Sequence, residues 1–319
     1  MRLAVPGLAL TLVAGVGGVA LPEPPAAAGG VAGCRVFPAD NYWRADVSDL
    51  PRHRRSRQWL ARMSSNRRLH PDFGPSYGAG PDYGLPVTVV GHGHRRVRVR
   101  FTYAAESDRV RYPFGRDTRI EGGRGSSGDK HAIVVDRGAC RLYETWNTTR
   151  RNGRWRAGSG ATWPLRSNRL RPDGWTSADA AGLPILPGLL RWREVKRRDV
   201  DHAIRFTTDV TSRWHVWPAR HDAGSRDSHR FPPMGARFRL KGSYRAPRSF
   251  GPGAREVVRA MKNYGLVLAD NGSPWFFQGE RNAHWPDGLI ADLKRVPASA
   301  FVAVDTSSLK VDPDSAATR

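Results

Sequence analysis

The chain has 319 residues, 39% of them hydrophobic, with 34 Gly, 24 Pro and 11 Trp; that is enough for one sizeable core and too turn-rich for a helical bundle or coiled coil. Its 52 Lys and Arg against 29 Asp and Glu give a formal charge of +23, which points to acidic partners such as an acidic polysaccharide or an anionic cell-wall polymer. No helix-turn-helix, zinc-finger or RNP-like spacing accompanies that charge, so nucleic acid is not an expected partner.

Arg2, an apolar run over 3–21 thinned by Gly15, Gly17 and Gly18, and small residues near Ala26 and Ala28 read as a secretory signal peptide over 1–28 rather than a membrane anchor. A secreted, monomeric mature chain without a transmembrane segment is therefore expected. Residues 31–34 resemble a lipobox, but Cys34 lies too far beyond the apolar run for lipid attachment. In an oxidising compartment Cys34 and Cys140 are expected to form one disulfide. One domain over 34–309 and a frayed polar tail over 310–319 complete the expected organisation.

In chain order, 54–63 predicts a short helix with Trp59, Leu60 and Met63 on its apolar face. Residues 71–86 form a loop rich in Gly, Pro and Tyr. Residues 87–90 and 97–103, linked through Gly91-His92-Gly93-His94, predict a hairpin whose second arm alternates Val97, Val99, Phe101 and Tyr103 inward with Arg98, Arg100 and Thr102 outward. His92 and His94 lack a third ligand nearby and are read as solvated.

Residues 131–136 and 140–146 predict a second hairpin across Arg137-Gly138. Alternation puts Glu144 on one face with Cys140, Leu142 and Trp146. Facing inward, it would be desolvated and proton-holding, as a general acid requires; facing outward, it is merely solvated. Residues 172–184 predict a short helix capped by Thr176 or Ser177 and stopped by Gly182, presenting Trp175 and Asp179 to a sugar, or else a packing turn. A second short helix is expected over 186–195.

The segment 201–207 repeats the His-Ala-Ile pattern of 131–133, so His131 and His202 are candidates for a converging pair beside Arg205. Arg220 and His221 follow in a loop, and Arg237, Arg239 and Lys241 share one strand face that suits a polyanion or a carboxylate. Over 252–264, Ala254, Val257, Val258, Met261 and Tyr264 recur at helical spacing, with Gly265 as the stop. A core strand over 266–269 then leads to a turn holding Asp270 and Asn271, beside Trp275 as an aromatic platform. A helix over 285–294 and a strand over 299–304 close the domain. The fold class expected is α+β, mainly antiparallel, sandwich-like or curved, with short capping helices.

The stretches CRVFPADN, SSGDKHAIVVD, CRLYETW, GWTSADAAGLPILPG, DHAIRFT, PPMGARFRLK and NYGLVLADNGS resemble a broadly distributed group of secreted bacterial proteins without an assigned activity. The resemblance spans nearly the whole mature chain. It implies export and a single domain and brings no catalytic assignment.

The function expected is an extracellular carbohydrate-active enzyme. In one version Glu144 with Asp270 or Asp179 cleaves a glycosidic bond; in the other, His131 and His202 with an arginine abstract a proton beside a uronate carboxylate. Trp175, Asp179, Arg205, Arg220 and His221 are the first candidates for binding the glycan, joined by Arg237, Lys241, Asn271 and Trp275. The alternative is a non-catalytic glycan- or wall-binding protein using the same residues. No cofactor is called for; a metal held by His131, His202 and Glu144 is a third reading.

Overall fold

Residue 1, residues 30–76 and residues 82–319 are described by the computed structural model; most of the 1–28 stretch read above as a signal peptide and part of the 71–86 loop lie outside the described residues. The first half of the chain contributes β1 (Gly30–Val31), β2 (Cys34–Arg35), α1 (Ser56–Leu60), β3 (His70–Asp72), β4 (Val87–Val90), β5 (Val97–Phe101), β6 (Arg111–Tyr112), β7 (Ala132–Asp136), β8 (Arg141–Trp146), β9 (Thr149–Arg151), β10 (Arg154–Ala157) and β11 (Ser159–Pro164). The second half adds α2 (Trp192–Arg197), β12 (Ile204–Thr208), β13 (Arg237–Leu240), α3 (Pro252–Asn263), β14 (Leu266–Asn271), β15 (Phe276–Gln278), α4 (Asp287–Leu293) and β16 (Phe301–Ala303).

The chain is α+β, as the alternating strands and short helices require, with three larger sheets and the small β1-β2 pair. The outer sheet runs β6-β5-β10-β9, the middle sheet β11-β8-β7-β4, and the large sheet β16-β13-β14-β12-β15-β3. Val97, Val99, Phe101 and Trp155 of the outer sheet pack on Val134 and Tyr143 of the middle sheet. On its other face Ile133, Val135 and Leu142 meet Ile185, Leu186 and Leu189. β7 is consequently buried at every position, which is why it reads as an unbroken apolar run. The main core lies around the large sheet, where Phe206, Phe238, Leu268 and Trp275 pack with Val257 and Met261 of α3.

α3 ends where expected. Gly265 has φ +70°, and a Cβ there would sit 2.4 Å from the Phe238 carbonyl oxygen, so a glycine is needed both for the left-handed turn and for the approach of β13. The hairpin over 131–146 also forms, with Asp136 Oδ1 accepting from the backbone of Gly138 and Ala139 at its turn. Cys34 and Cys140 are disulfide-bonded across 106 residues, tying the start of the described chain to the middle sheet. Among the described residues no helix is long and apolar enough to cross a membrane.

Three expectations about the fold are corrected, and the choice left open over 172–184 falls to the turn. The 87–103 hairpin does not form: β4 pairs in parallel with β7, while β5 joins β10 and β6 in the outer sheet. The middle sheet is covered on both faces, so a strand carrying Arg98 and Arg100 is excluded from it; the outer sheet leaves both exposed. Over 172–184 the packing turn forms rather than the helix: Ser177 Oγ accepts from Asp179 N and donates to Leu183 O. The helix expected over 186–195 is a 3-10 turn, Leu186–Gly188, followed by α2. The C-terminal tail is not frayed: Ala316 is buried, its carbonyl accepting from Tyr42 N at 2.8 Å and its amide donating to Asn168 O at 2.7 Å.

Candidate functional site

The register between β12 and β14 shifts after Phe206, which faces Leu268, so that Thr207 faces Asp270 and Ala269 is the extra residue of a bulge. Such a bulge re-aims the side chain that follows it. Asp270, which regular alternation would keep on the side of Leu266 and Leu268, reaches a cleft between the large and middle sheets. The bulge also leaves the Ala269 carbonyl to accept from Ala181 N at 2.9 Å, docking the 176–182 loop against the strand.

That loop is the floor of the cleft, and its carbonyls are satisfied from outside it. Thr176 O accepts from Arg171 Nε (2.9 Å), Ser177 O from Ser159 Oγ (2.5 Å), Ala178 O from His131 Nε2 (3.1 Å), Ala180 O from His221 Nδ1 (2.8 Å) and Ala181 O from Arg220 N (2.9 Å). Asp179, fully buried, takes a bidentate pair from Arg205, with Nε at 2.9 Å and Nη2 at 2.6 Å. Irregular backbone held by this many donors is rigid without being helical.

Three protonation states follow. Burial, reinforced by the negative charge of Asp179 and only partly offset by Arg205 at 3.7 Å, raises Asp270 to about 8, so it keeps its proton at neutral pH. Burial opposes a charge on His131, but the Glu121 carboxylate on Nδ1 at 2.6 Å outweighs it and raises the imidazole to about 9. With Nε2 donating to a carbonyl, both ring nitrogens carry hydrogen, and His131 is an imidazolium beneath the loop. Glu144 faces inward at 0% exposure. Burial raises it to about 7, against the pull of the Ile185 and Leu186 amides, each donating to it at 2.8 Å.

The cleft has a volume of about 320 Å³, ordinary for a small-molecule or glycan subsite. Asp270, Glu106, Asp129 and Asp179 bring carboxylates to its wall, Tyr103 and Trp146 bring rings, and His221 and Asn271 bring polar edges; no Lys or Arg lines it. Trp146 Nε1 donates to Asp129 Oδ1 at 3.1 Å, orienting that carboxylate. Because His221 Nδ1 carries the hydrogen given to Ala180 O, its Nε2 is left for the cleft, 3.9 Å from Glu106 Oε2.

Of the residues expected in a site, Asp270, Asp179, Asn271 and His221 therefore come together, with Arg205 and His131 directly beneath. Several others are placed elsewhere. His202 does not converge with His131; its Nδ1 donates to Ala203 O at 2.8 Å and its Nε2 meets Glu194 at 3.2 Å. It precedes β12 at the end opposite Asp270, since parallel pairing with β14 sets the two a strand length apart. Glu144 does not reach the cleft and positions the 185–186 backbone. Trp275 is a core residue at 0% exposure, donating to Met63 O. Arg237 is buried over the Tyr42 ring at 4.2 Å, Lys241 donates to Ser299 O, and Arg220 anchors the tail at Pro313 and Asp314, so these three do not form a cationic binding face. Trp175 sits half-buried beside the Arg171 guanidinium, outside the cleft lining.

Glu106, Asp129, Tyr103 and Trp146 are the cleft residues that sequence reasoning did not select. Tyr103, expected inward on the 97–103 strand, instead lies exposed beyond the end of β5, where the chain turns through Ala104–Glu106; nothing periodic marks Glu106. Glu121 had a signal, a lone carboxylate before a Gly-Gly turn ten residues ahead of His131. Among the described residues no three His, Cys, Asp or Glu side chains are placed to share a metal ion, which removes the His131, His202 and Glu144 metal reading.

The cluster sets a pH dependence of stability. Asp270, Glu144 and His131 hold protons in the folded chain at pH values where they would release them unfolded. Between about pH 4 and 9 these three make the folded state the better proton binder, so they lower stability as pH rises. The His131 contribution is fully present below about 6.5 and gone above about 9. Glu121 and Glu194, whose carboxyls are lowered despite burial by His131 and by Arg191 respectively, act oppositely and lose their contribution on acidification. Calorimetry across pH is expected to place the highest melting temperature at about pH 5–6 with a steady fall toward pH 9; a flat or rising profile above pH 6 contradicts the assigned protonation states.

No family model, curated protein or solved structure matches this chain.

Proposed function

We propose that the protein is an extracellular enzyme that hydrolyses a glycosidic bond in this cleft, with Asp270 as general acid and Glu106, beside His221 Nε2, as the second carboxyl group. The observation that carries the reading is the place of Asp270, turned by the β12–β14 bulge into a cleft that holds further carboxylates, where burial and Asp179 raise its carboxyl to about 8. Glycoside cleavage needs that division, one carboxyl donating to the leaving oxygen while another supports the attack on the sugar. Tyr103 and Trp146 supply ring faces for sugar C–H groups, and Asn271 a polar edge.

The lining narrows the substrate. Of the four carboxyl groups, Asp270 keeps its proton and Asp179 is paired with Arg205; Glu106 and Asp129, without a guanidinium partner, and the absence of a lining cation disfavour a uronate and favour a neutral or amino-sugar glycan, in spite of the basic surface. The lyase route loses its support, since His131 and His202 are apart and Arg205 is committed to Asp179. The disulfide suits an extracellular setting. The test is release of reducing ends from a panel of neutral and amino-sugar glycans by the mature protein. Turnover on at least one is expected; binding without turnover would move the protein to the non-catalytic reading, and neither would end the glycan assignment.

A further inference from the structure

The outer sheet carries an arrangement that folding does not explain. Its inner face is apolar, but the other face presents Arg111 and Arg98, which are register partners, Arg100 and Arg156, also partners, and Arg154 opposite Arg151. The i, i+2 spacing of Arg98 with Arg100 and of Arg154 with Arg156 puts the pairs on one pleat face. All six are exposed. None of the six forms an ion pair among the described residues. Like charges directly opposite each other on adjacent strands destabilise a sheet, and here three such pairs lie side by side. A hollow bounded by Arg151, Asn152, Arg154 and Arg156 lies at one edge of the face.

We infer that this face is a docking surface for a flexible linear polyanion, a phosphate-bearing chain without bases. Guanidinium forks match phosphate oxygens in pairs, and an anionic chain supplies the counter-charge that the sheet lacks. Arginines about 7 Å apart along a strand and about 5 Å apart across strands suit consecutive charges on one flexible chain. The phosphates flanking a duplex major groove, about 12 Å wide, are too far apart for neighbouring arginines to share. The arginine face shows no apolar residue between its cations to enter a bilayer. β5 and β10 run parallel, and the chain leaving them reaches the cleft at Tyr103 and Ser159. A polymer on the arginine face thus lies beside the mouth of the cleft, and recognition of an acidic scaffold is separated from the acidic site itself.

The test is binding of long-chain polyphosphate to the mature protein, by fluorescence anisotropy at 50 and 200 mM salt. With six arginines engaged, log Kd is expected to change with log salt at a slope of magnitude about 4. The variant Arg98→Gln, Arg100→Gln, Arg154→Gln, Arg156→Gln is expected to weaken binding at least 30-fold at the lower salt and reduce that slope to about 1. A control that neutralises Arg54, Arg57, Arg67 and Arg197, all exposed elsewhere, is expected to change affinity less than 5-fold. Removing like-charge pairs should leave the melting temperature of the patch variant unchanged or higher. Equal losses in patch and control variants, tighter binding to duplex DNA or to anionic phospholipid vesicles than to polyphosphate, or a lower melting temperature of the patch variant would each overturn the assignment. Glycan turnover in the cleft is read separately, so failure here leaves the proposed reaction standing.

Discussion

Asp270→Asn is expected to lower glycan turnover by about 10²–10⁴-fold, the usual contribution of a positioned general acid, with a well-folded protein left behind. The amide is nearly isosteric and keeps an oxygen to accept from Asn271 N, which lies 2.7 Å from Asp270 Oδ1. Because Asp270 is neutral below about 8, the substitution removes no charge at pH 7 and creates none, so the melting temperature should hold there and rise relative to the parent above pH 8. The loss belongs in kcat, since a proton given to the leaving oxygen counts only in the transition state. The parent should lose activity with an alkaline limb near 8, and the residual activity of the variant should lack that limb.

Glu144→Gln is the contrast that separates chemistry from architecture. Glu144 accepts from two adjacent amides with its two oxygens, and a glutamine offers only one acceptor. One buried N–H is then unpaired at a cost of about 1–3 kcal/mol. Stability falls while turnover per folded molecule stays within a few-fold. If Glu144→Gln abolishes turnover and Asp270→Asn does not, the assignment of the acid is reversed.

What was legible in the sequence was local. The hairpin over 131–146, α3 with its Gly265 stop and the buried strand before Asp270 follow from periodicity and turn chemistry, which act within a dozen residues. The α+β class follows from the same signals. The disulfide, with a sequence separation of 106, follows instead from there being two cysteines. What failed depended on partners distant in sequence. Whether Glu144 faces in or out turns on which sheet covers the second hairpin. The separation of β4 from β5 turns on the middle sheet being closed on both faces. The 176–182 loop left helix and turn open because Ser, Asp and Gly are the same residues that build a donor-held turn; Arg171, Ser159, His131, and Arg220 with His221, from four different segments, decide between the two. The candidate site was half legible for the same reason. Asp270, Asp179, Asn271 and His221 stand in stretches with a carboxylate, amide or imidazole at a strand end or turn. Glu106 and Asp129 enter only through the approach of the outer and middle sheets to the large one. The basic composition misled about the cleft, since charge totals do not say where charges gather.

Arg205→Met is expected to be the most destabilising single change in the site, at about 3–5 kcal/mol, because it strands the fully buried Asp179 carboxylate without its guanidinium. Asp179→Asn should cost a similar amount by leaving Arg205 half-paired, whereas the double change Arg205→Met with Asp179→Leu should cost less than either, since charge and partner leave together. Chemical denaturation of the three variants measures this, and a double variant no more stable than the singles would show that the pair contributes by shape rather than by charge. The same substitutions push the acid in opposite directions. Asp179 raises the Asp270 carboxyl and Arg205 lowers it. Removing Asp179 frees a guanidinium already 3.7 Å from Asp270, so the alkaline limb of activity should move below 8; removing Arg205 leaves two carboxylates facing each other, and the limb should move above it. Stability loss alone shifts neither limb, so opposite displacements in the two variants tie the buried pair to the proton on Asp270, and parallel displacements break that link.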